Sequence, residues 1–188
     1  EAHAAAPSHV SALMSGMLIK LGIYGLLRTT LFVPPAAWFG VTLMVVGIAG
    51  ALLGISMALY QRDLKRILAY SSVENIGIIL LGLGLGLWAR ARGARGLAAL
   101  ALGGGLLHIW NHAAMKGLLF LGAGSIVHGA GGRDMERLGG LLRRMPWTGS
   151  AVMVGAVAVA GLPPLNGFMG EWLLYRALTQ VGLHGEPS

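Results

Sequence analysis

Val41-Thr42-Leu43-Met44-Val45-Val46-Gly47-Ile48-Ala49-Gly50-Ala51-Leu52-Leu53-Gly54-Ile55 is continuously apolar or small, and Ile76 to Leu87 repeats the pattern. A strand in a membrane barrel alternates polar and apolar residues over about ten positions. Neither stretch alternates, so both read as helices. A span needs about 20 apolar residues to cross roughly 30 Å of hydrocarbon. Working outward from Val41, five such runs fit: Val10–Phe32, Ala37–Tyr60, Ile67–Trp88, Leu97–Val127 and Trp147–Val181, separated by short charged or Pro-bearing loops. The expected fold class is all-α integral membrane, a bundle of about five transmembrane helices in one membrane domain over residues 1–188.

Composition agrees with the bilayer as solvent. Of 188 residues, 55% are hydrophobic and 11% charged, and the mean hydropathy is +0.71. Soluble chains carry roughly 25% charged residues, so too few charges remain here to cover a water-facing surface. The 31 glycines include Gly47, Gly50 and Gly54, and Gly82, Gly84 and Gly86, inside spans. Small residues there let helix backbones approach closely. The Gly-Leu-Gly-Leu-Gly stretch lacks the third spacing, the preceding strand and the acidic partner of a dinucleotide site. With no cysteine, a disulfide framework, thiolate zinc and a Cys-held cluster are excluded within this chain. The opening Glu1-Ala2-His3 has neither an initiator Met nor a signal-peptide pattern and reads as the interior of a longer protein.

Basic residues give the orientation. Arg62, Lys65, Arg66, Arg133, Arg137, Arg143 and Arg144 fall on one side of the membrane, and Arg28, Arg90, Arg92, Arg95 and Arg176 on the other. The positive-inside rule puts the N-terminus and the Gln61–Arg66 loop in the cytoplasm. The net charge of +7 is loop charge against lipid headgroups; split across two faces, it makes no nucleic-acid patch.

Ionisable groups at membrane depth are costly and mark functional sites by default. Lys20 stands near the middle of the first span, with Tyr24 one turn on; it reads as functional, against a packing cation held by a neighbouring carboxylate. In the fourth span, His112 lies about 40° and Lys116 about 80° around the helix from His108, and Asn111 about 60° on the other side. The outer two are about 12 Å apart along the axis, so each step is about 6 Å, which one water can bridge. Titration near neutrality suits this face to a proton relay. A structural hydrogen-bonding role is the plainer alternative. Zinc is disfavoured because Ile109 stands where a metalloprotease helix has Glu, and haem because His3, His9, His128 and His184 lie at or beyond span ends. Glu74, two turns inside the third span with Tyr70, Ser71 and Asn75 nearby, reads either as a relay carboxylate or as a partner for a lysine. The fifth run is interrupted by Gly161-Leu162-Pro163-Pro164-Leu165-Asn166-Gly167. Pro163 and Pro164 remove two N–H donors and break the helix, which should free carbonyls at membrane depth, where irregular backbone is tolerated only inside protein or beside a wet cavity. Glu171 follows one turn after the break.

Four ordered runs, Pro7–Leu13, Gln61–Ser72, His112–Leu121 and Gly161–Phe168, resemble the antiporter-like proton-pumping subunits of complex I and its Mrp relatives. Glu74–Ile79 and Gly170-Glu171-Trp172 look most like the hydrogenase-4 component B subfamily, the large membrane subunits of formate hydrogenlyase-type complexes. The resemblance implies inverted five-helix repeats with a charged axis along the membrane midplane, of which this chain resembles the second half. It implies that Lys20 connects two half-channels, that His108 to Lys116 is the relay face, and that Glu171 is the titrating group of the second broken helix, where many relatives carry lysine. The expected function is proton translocation, with no cofactor or redox centre in this chain. The expected partners are other membrane subunits, a peripheral redox arm and the lipid bilayer of the inner (cytoplasmic) membrane. A cation (Na+)/proton antiporter subunit and a structural anchor of a redox complex are the alternatives.

Overall fold

The computed structural model describes residues 5–33 and 36–184. His3, weighed above for haem, lies outside them, as does the side chain of His184. Seven helices are named among the described residues: α1 Ser8–Phe32 with a π-helical turn at Met14–Leu18, α2 Ala37–Leu59, α3 Leu64–Ala91, α4 Arg95–Ala130, α5 Leu141–Arg144, α6 Pro146–Val159 and α7 Asn166–His184. α1 to α4 are each long and apolar enough to cross a membrane. The fifth run is not one helix. It is divided into α6 and α7, neither of which meets both criteria.

The division has a local cause. Gly161 takes a left-handed backbone, φ 65°, and the N–H groups of Gly161 and Leu162 return to the carbonyls of Ala158 and Val157 at 3.2 and 3.4 Å. This is a Schellman end, and Pro163 and Pro164 follow it where no helix can continue. Two of the carbonyls near the break, expected to be free, are therefore already occupied. The Pro163–Pro164 peptide is cis.

α2 and α3 meet through glycine. A Cβ on Gly47 would come within 2.6 Å of the Gly77 carbonyl, and one on Gly40 within 2.6 Å of the Gly84 carbonyl. Gly54 meets the backbone of Glu74 in the same way. The repeat of seven along α2 makes one stripe, and the backbone contact it allows holds the turn that carries Glu74.

The apolar core falls into layers along α4. Leu97, Ala98 and Ala101 pack with Leu85, Ala89 and Ala177 towards one end; Leu119, Phe120, Ala123 and Ile126 pack with Ala12, Leu64 and Leu68 towards the other. The polar residues 108 to 116 lie between them in sequence. At the second end the two long polar loops are joined. Asp63 bridges to Asp134, Leu64 N donates to Arg133 O at 2.9 Å and Met135 N to Arg62 O at 2.8 Å, and Arg133 meets Asp63 at 2.6 Å. Asp63 also caps α3, accepting from the N–H groups of Lys65 and Arg66 at 2.9 and 3.1 Å.

Candidate functional site: a buried polar axis

Lys20, His108, His112 and Lys116 are all buried, the last three with no exposed surface. Glu74 and Glu171 are half-buried. The i, i+4, i+8 spacing on α4 does place one face inward: the His108 and His112 rings lie parallel within 6°, 6.4 Å between centroids. His108 Nδ1 and both ring nitrogens of His112 have no hydrogen-bond partner, although buried polar atoms are nearly always satisfied. Three orphaned nitrogens on one face leave a place for water or a mobile proton.

His108 is oriented from α3. Its Nε2 lies 3.0 Å from Asn75 Oδ1, and Asn75 Nδ2 donates to Ser71 O at 2.9 Å. The amide therefore turns its oxygen to the ring, so Nε2 carries the hydrogen and Nδ1 the lone pair. That Nδ1 faces α7, where a Cβ on Gly170 would sit 2.9 Å from it. Asn111, expected to extend the relay face, instead donates to Asn166 O at 2.6 Å and ties α4 to the first residue of α7. The broken helix thus docks on the histidine face.

Lys116 reaches α3, donating to Leu68 O at 3.1 Å and to Ser71 Oγ. Glu74 is within electrostatic reach of Lys116 and, on its other side, of Glu171. Glu171 rests against Gly161, where a Cβ would collide with its carboxylate. So the turn that ends α6 makes the space for the acid that follows the break, while Leu162, Pro163 and Pro164 face outward. Lys20 Nζ donates to Ser15 O inside the π-helical turn. It lines a cavity of about 670 Å³ between α1 and α4, together with Tyr24 and apolar residues.

Two residues were not singled out from sequence. Ser15 and Ser72 are buried and their hydroxyls lie 2.7 Å apart. Serine in the middle of a span is a weak signal alone, because it also serves helix packing; Ser15 five residues before Lys20 was the available cue.

The sequence is 46% identical to hydrogenase-4 component B of Escherichia coli over 94% of this chain and 27% of that protein. It is 45% identical to formate hydrogenlyase subunit 3 of the same organism over 98% of this chain and 31% of that protein. The chain thus spans about a third or less of the curated relatives it matches. Among solved structures, the Mrp complex from Dietzia sp. matches with a TM-score of 0.83 at 29% identity, over 96% of this chain and 32% of that chain. A multi-pass helical membrane fold, a buried axis of lysine and histidine, and a match over residues 1–184 to the family described as NADH:quinone oxidoreductase/Mrp antiporter, TM, place this chain in that family.

Proposed function

We propose that the chain is part of a proton-translocating membrane subunit in which Lys20, His108, His112, Lys116, Glu74 and Glu171 relay charge along the membrane midplane. The observation that carries it is His112: an imidazole with no exposed surface and two unpartnered ring nitrogens, set between two buried lysines. A ring held only for packing would be an expensive choice there, since an unsatisfied buried polar group costs about 1–3 kcal/mol. Glu74 then stands between Lys116 and Glu171. It is both of the alternatives read from sequence, a partner for the lysine and a carriage point towards Glu171. Pro163 and Pro164 make the break that brings Glu171 against Gly161.

The mechanism is electrostatic. Protonation of one group changes the proton affinity of its neighbour, so a charge change arriving from a redox partner drives protons along the row. The partners are other membrane subunits and a peripheral redox arm, in the inner (cytoplasmic) membrane. Irregular backbone does not face lipid, so the outward side of Leu162–Pro164 supports cover by a further protein surface. The test is coupled proton transport by the full-length protein in its complex, in vesicles. Lys116→Met should stop transport while the complex assembles and its electron transfer persists at least in part. Normal pumping by that variant would refute the relay.

Sodium/proton exchange is the second reading, favoured by the structural likeness to an Mrp complex. Proton uptake that depends on external sodium would select it. The Schellman turn weighs against it, because it already occupies two carbonyls beside Glu171 that a cation would use.

A further inference from the structure

An unbroken series of hydrogen bonds joins the two buried lysines, and it does not pass through the histidines. Lys20 Nζ donates to Ser15 O. Ser15 Oγ lies 2.7 Å from Ser72 Oγ; Ser72 Oγ donates to Leu68 O at 2.9 Å; and Leu68 O accepts from Lys116 Nζ at 3.1 Å. A hydroxyl has one hydrogen. Since Ser72 gives its own to Leu68 O, Ser15 must be the donor to Ser72, and the series has a direction, from α1 to α3.

Both ends of this series are carbonyls, which accept hydrogen bonds but hand on no proton. The series therefore transmits polarisation and position, not protons. Its α1 end is set in the π-helical turn Met14–Leu18, a kind of irregularity that recurs at functional sites. The bond from Lys20 is charge-assisted only while the lysine is an ammonium, and such bonds are about twice as strong as neutral ones. Loss of that charge loosens the Ser15 carbonyl and, through the same residue, the hydroxyl that donates to Ser72. We propose that the Ser15–Ser72 hydroxyl pair couples the charge state of Lys20 to the seating of Lys116 on the Leu68 carbonyl, with Ser72 as the positioning residue. This rests on the relay reading above and deepens it: the histidines offer the proton its route, and the serines tell one lysine what the other carries. The titratable groups within reach of Lys116 are Glu74 on α3 and Lys20 on α1, with His112 one turn away on its own helix.

The test compares Ser72→Thr with Ser72→Val in the full-length protein within its complex, in membrane vesicles energised by the complex's own redox reaction. Thr and Val are both β-branched and nearly the same size, so they strain the buried site alike and differ in the hydroxyl. Initial proton uptake is followed from about pH 6 to about pH 8.5, the range in which such relay groups titrate, with assembled complex quantified. Thr should stay within about twofold of the parent with an unchanged pH profile, and Val should fall at least about fivefold, the lower end of usual coupling between sites, with a displaced profile. If both bulkier variants fail to assemble, Ser72→Ala against the parent gives the same comparison and should behave as Val. Equal rates and profiles for Thr and Val, or a parental profile for Ala, overturn the proposal. Lys116→Met is run alongside. If it abolishes uptake while Val matches Thr, only the coupling is wrong; if it pumps normally, the relay is wrong and the coupling with it.

Discussion

Asn75 holds His108 by its oxygen: Oδ1 lies 3.0 Å from Nε2 while Nδ2 is committed to Ser71 O at 2.9 Å. The ring is thereby kept in the tautomer whose lone pair, on Nδ1, is turned towards the broken helix. Asn75→Leu removes the acceptor and frees the ring to rotate. Proton transport should fall about tenfold, which is about 1.4 kcal/mol in the barrier. Asn75→Asp retains an oxygen at the same place and should fall less. Dye-quench rates in vesicles, normalised to assembled complex, check the order; a Leu variant faster than the Asp variant would contradict the assignment of the tautomer.

Gly161 serves Glu171 in two ways. Its φ of 65° costs a side-chain-bearing residue about 1–2 kcal/mol, and a Cβ there would press on the Glu171 carboxylate. Gly161→Ala should therefore lower the melting temperature of the purified complex and reduce transport towards the level of Glu171→Gln. Glu171→Asp shortens the side chain by one methylene. It should reduce transport alone yet recover part of the loss in the Gly161→Ala background, a non-additivity expected only of residues in contact. Strictly additive losses would separate the two residues.

Asp63 combines a helix cap with an ion pair to Arg133. Asn is as good a cap as Asp, so Asp63→Asn removes the charge and keeps most of the cap, while Asp63→Ala removes both. The expected losses of stability are up to about 1 kcal/mol for Asn, as for a partly exposed pair, and about 1–2 kcal/mol for Ala, adding the cap. Thermal unfolding in detergent should rank parent, Asn, Ala, and added salt should narrow the gap between parent and Asn.

Much of this site could be read from residue order, because its information is local. The inward face of α4 follows from helical spacing alone, and the break follows from Pro163 and Pro164. Even the Schellman end had a local signal, a glycine two residues before the first proline. The contacts between helices had none. Nothing within α3 says that Asn75 will stand opposite His108, or that Ser72 will meet a serine 57 positions earlier. Such pairings depend on the register of α3 against α1 and α4. The glycines of α2 forecast a close approach but not its partner, and only the folded chain reveals that Gly54 lies against the turn of Glu74.

The joined loops carry the last expectation, the orientation. Arg62 to Arg66 and Arg133 to Arg137 are held together by the Asp63–Asp134 bridge and by Arg62 with Glu136 at 3.0 Å. Two full spans, α3 and α4, separate them in sequence, so an even number of crossings returns the chain to one face. That face also carries Arg143 and Arg144 and holds the basic majority, which the positive-inside rule assigns to the cytoplasm. Lys65 reinforces it by reaching back to Ala6 O at 2.6 Å, fixing the entry of α1 to the same end. Cysteines introduced at Arg66 and Arg137, both exposed and outside the bridge, should resist a membrane-impermeant thiol reagent in intact cells and react in inside-out vesicles. One at Arg95, where α4 begins at the opposite end, should do the reverse. Labelling of the Arg66 and Arg137 positions from opposite sides would break the loop pairing itself, and labelling of both from outside would keep the fold but invert it in the membrane.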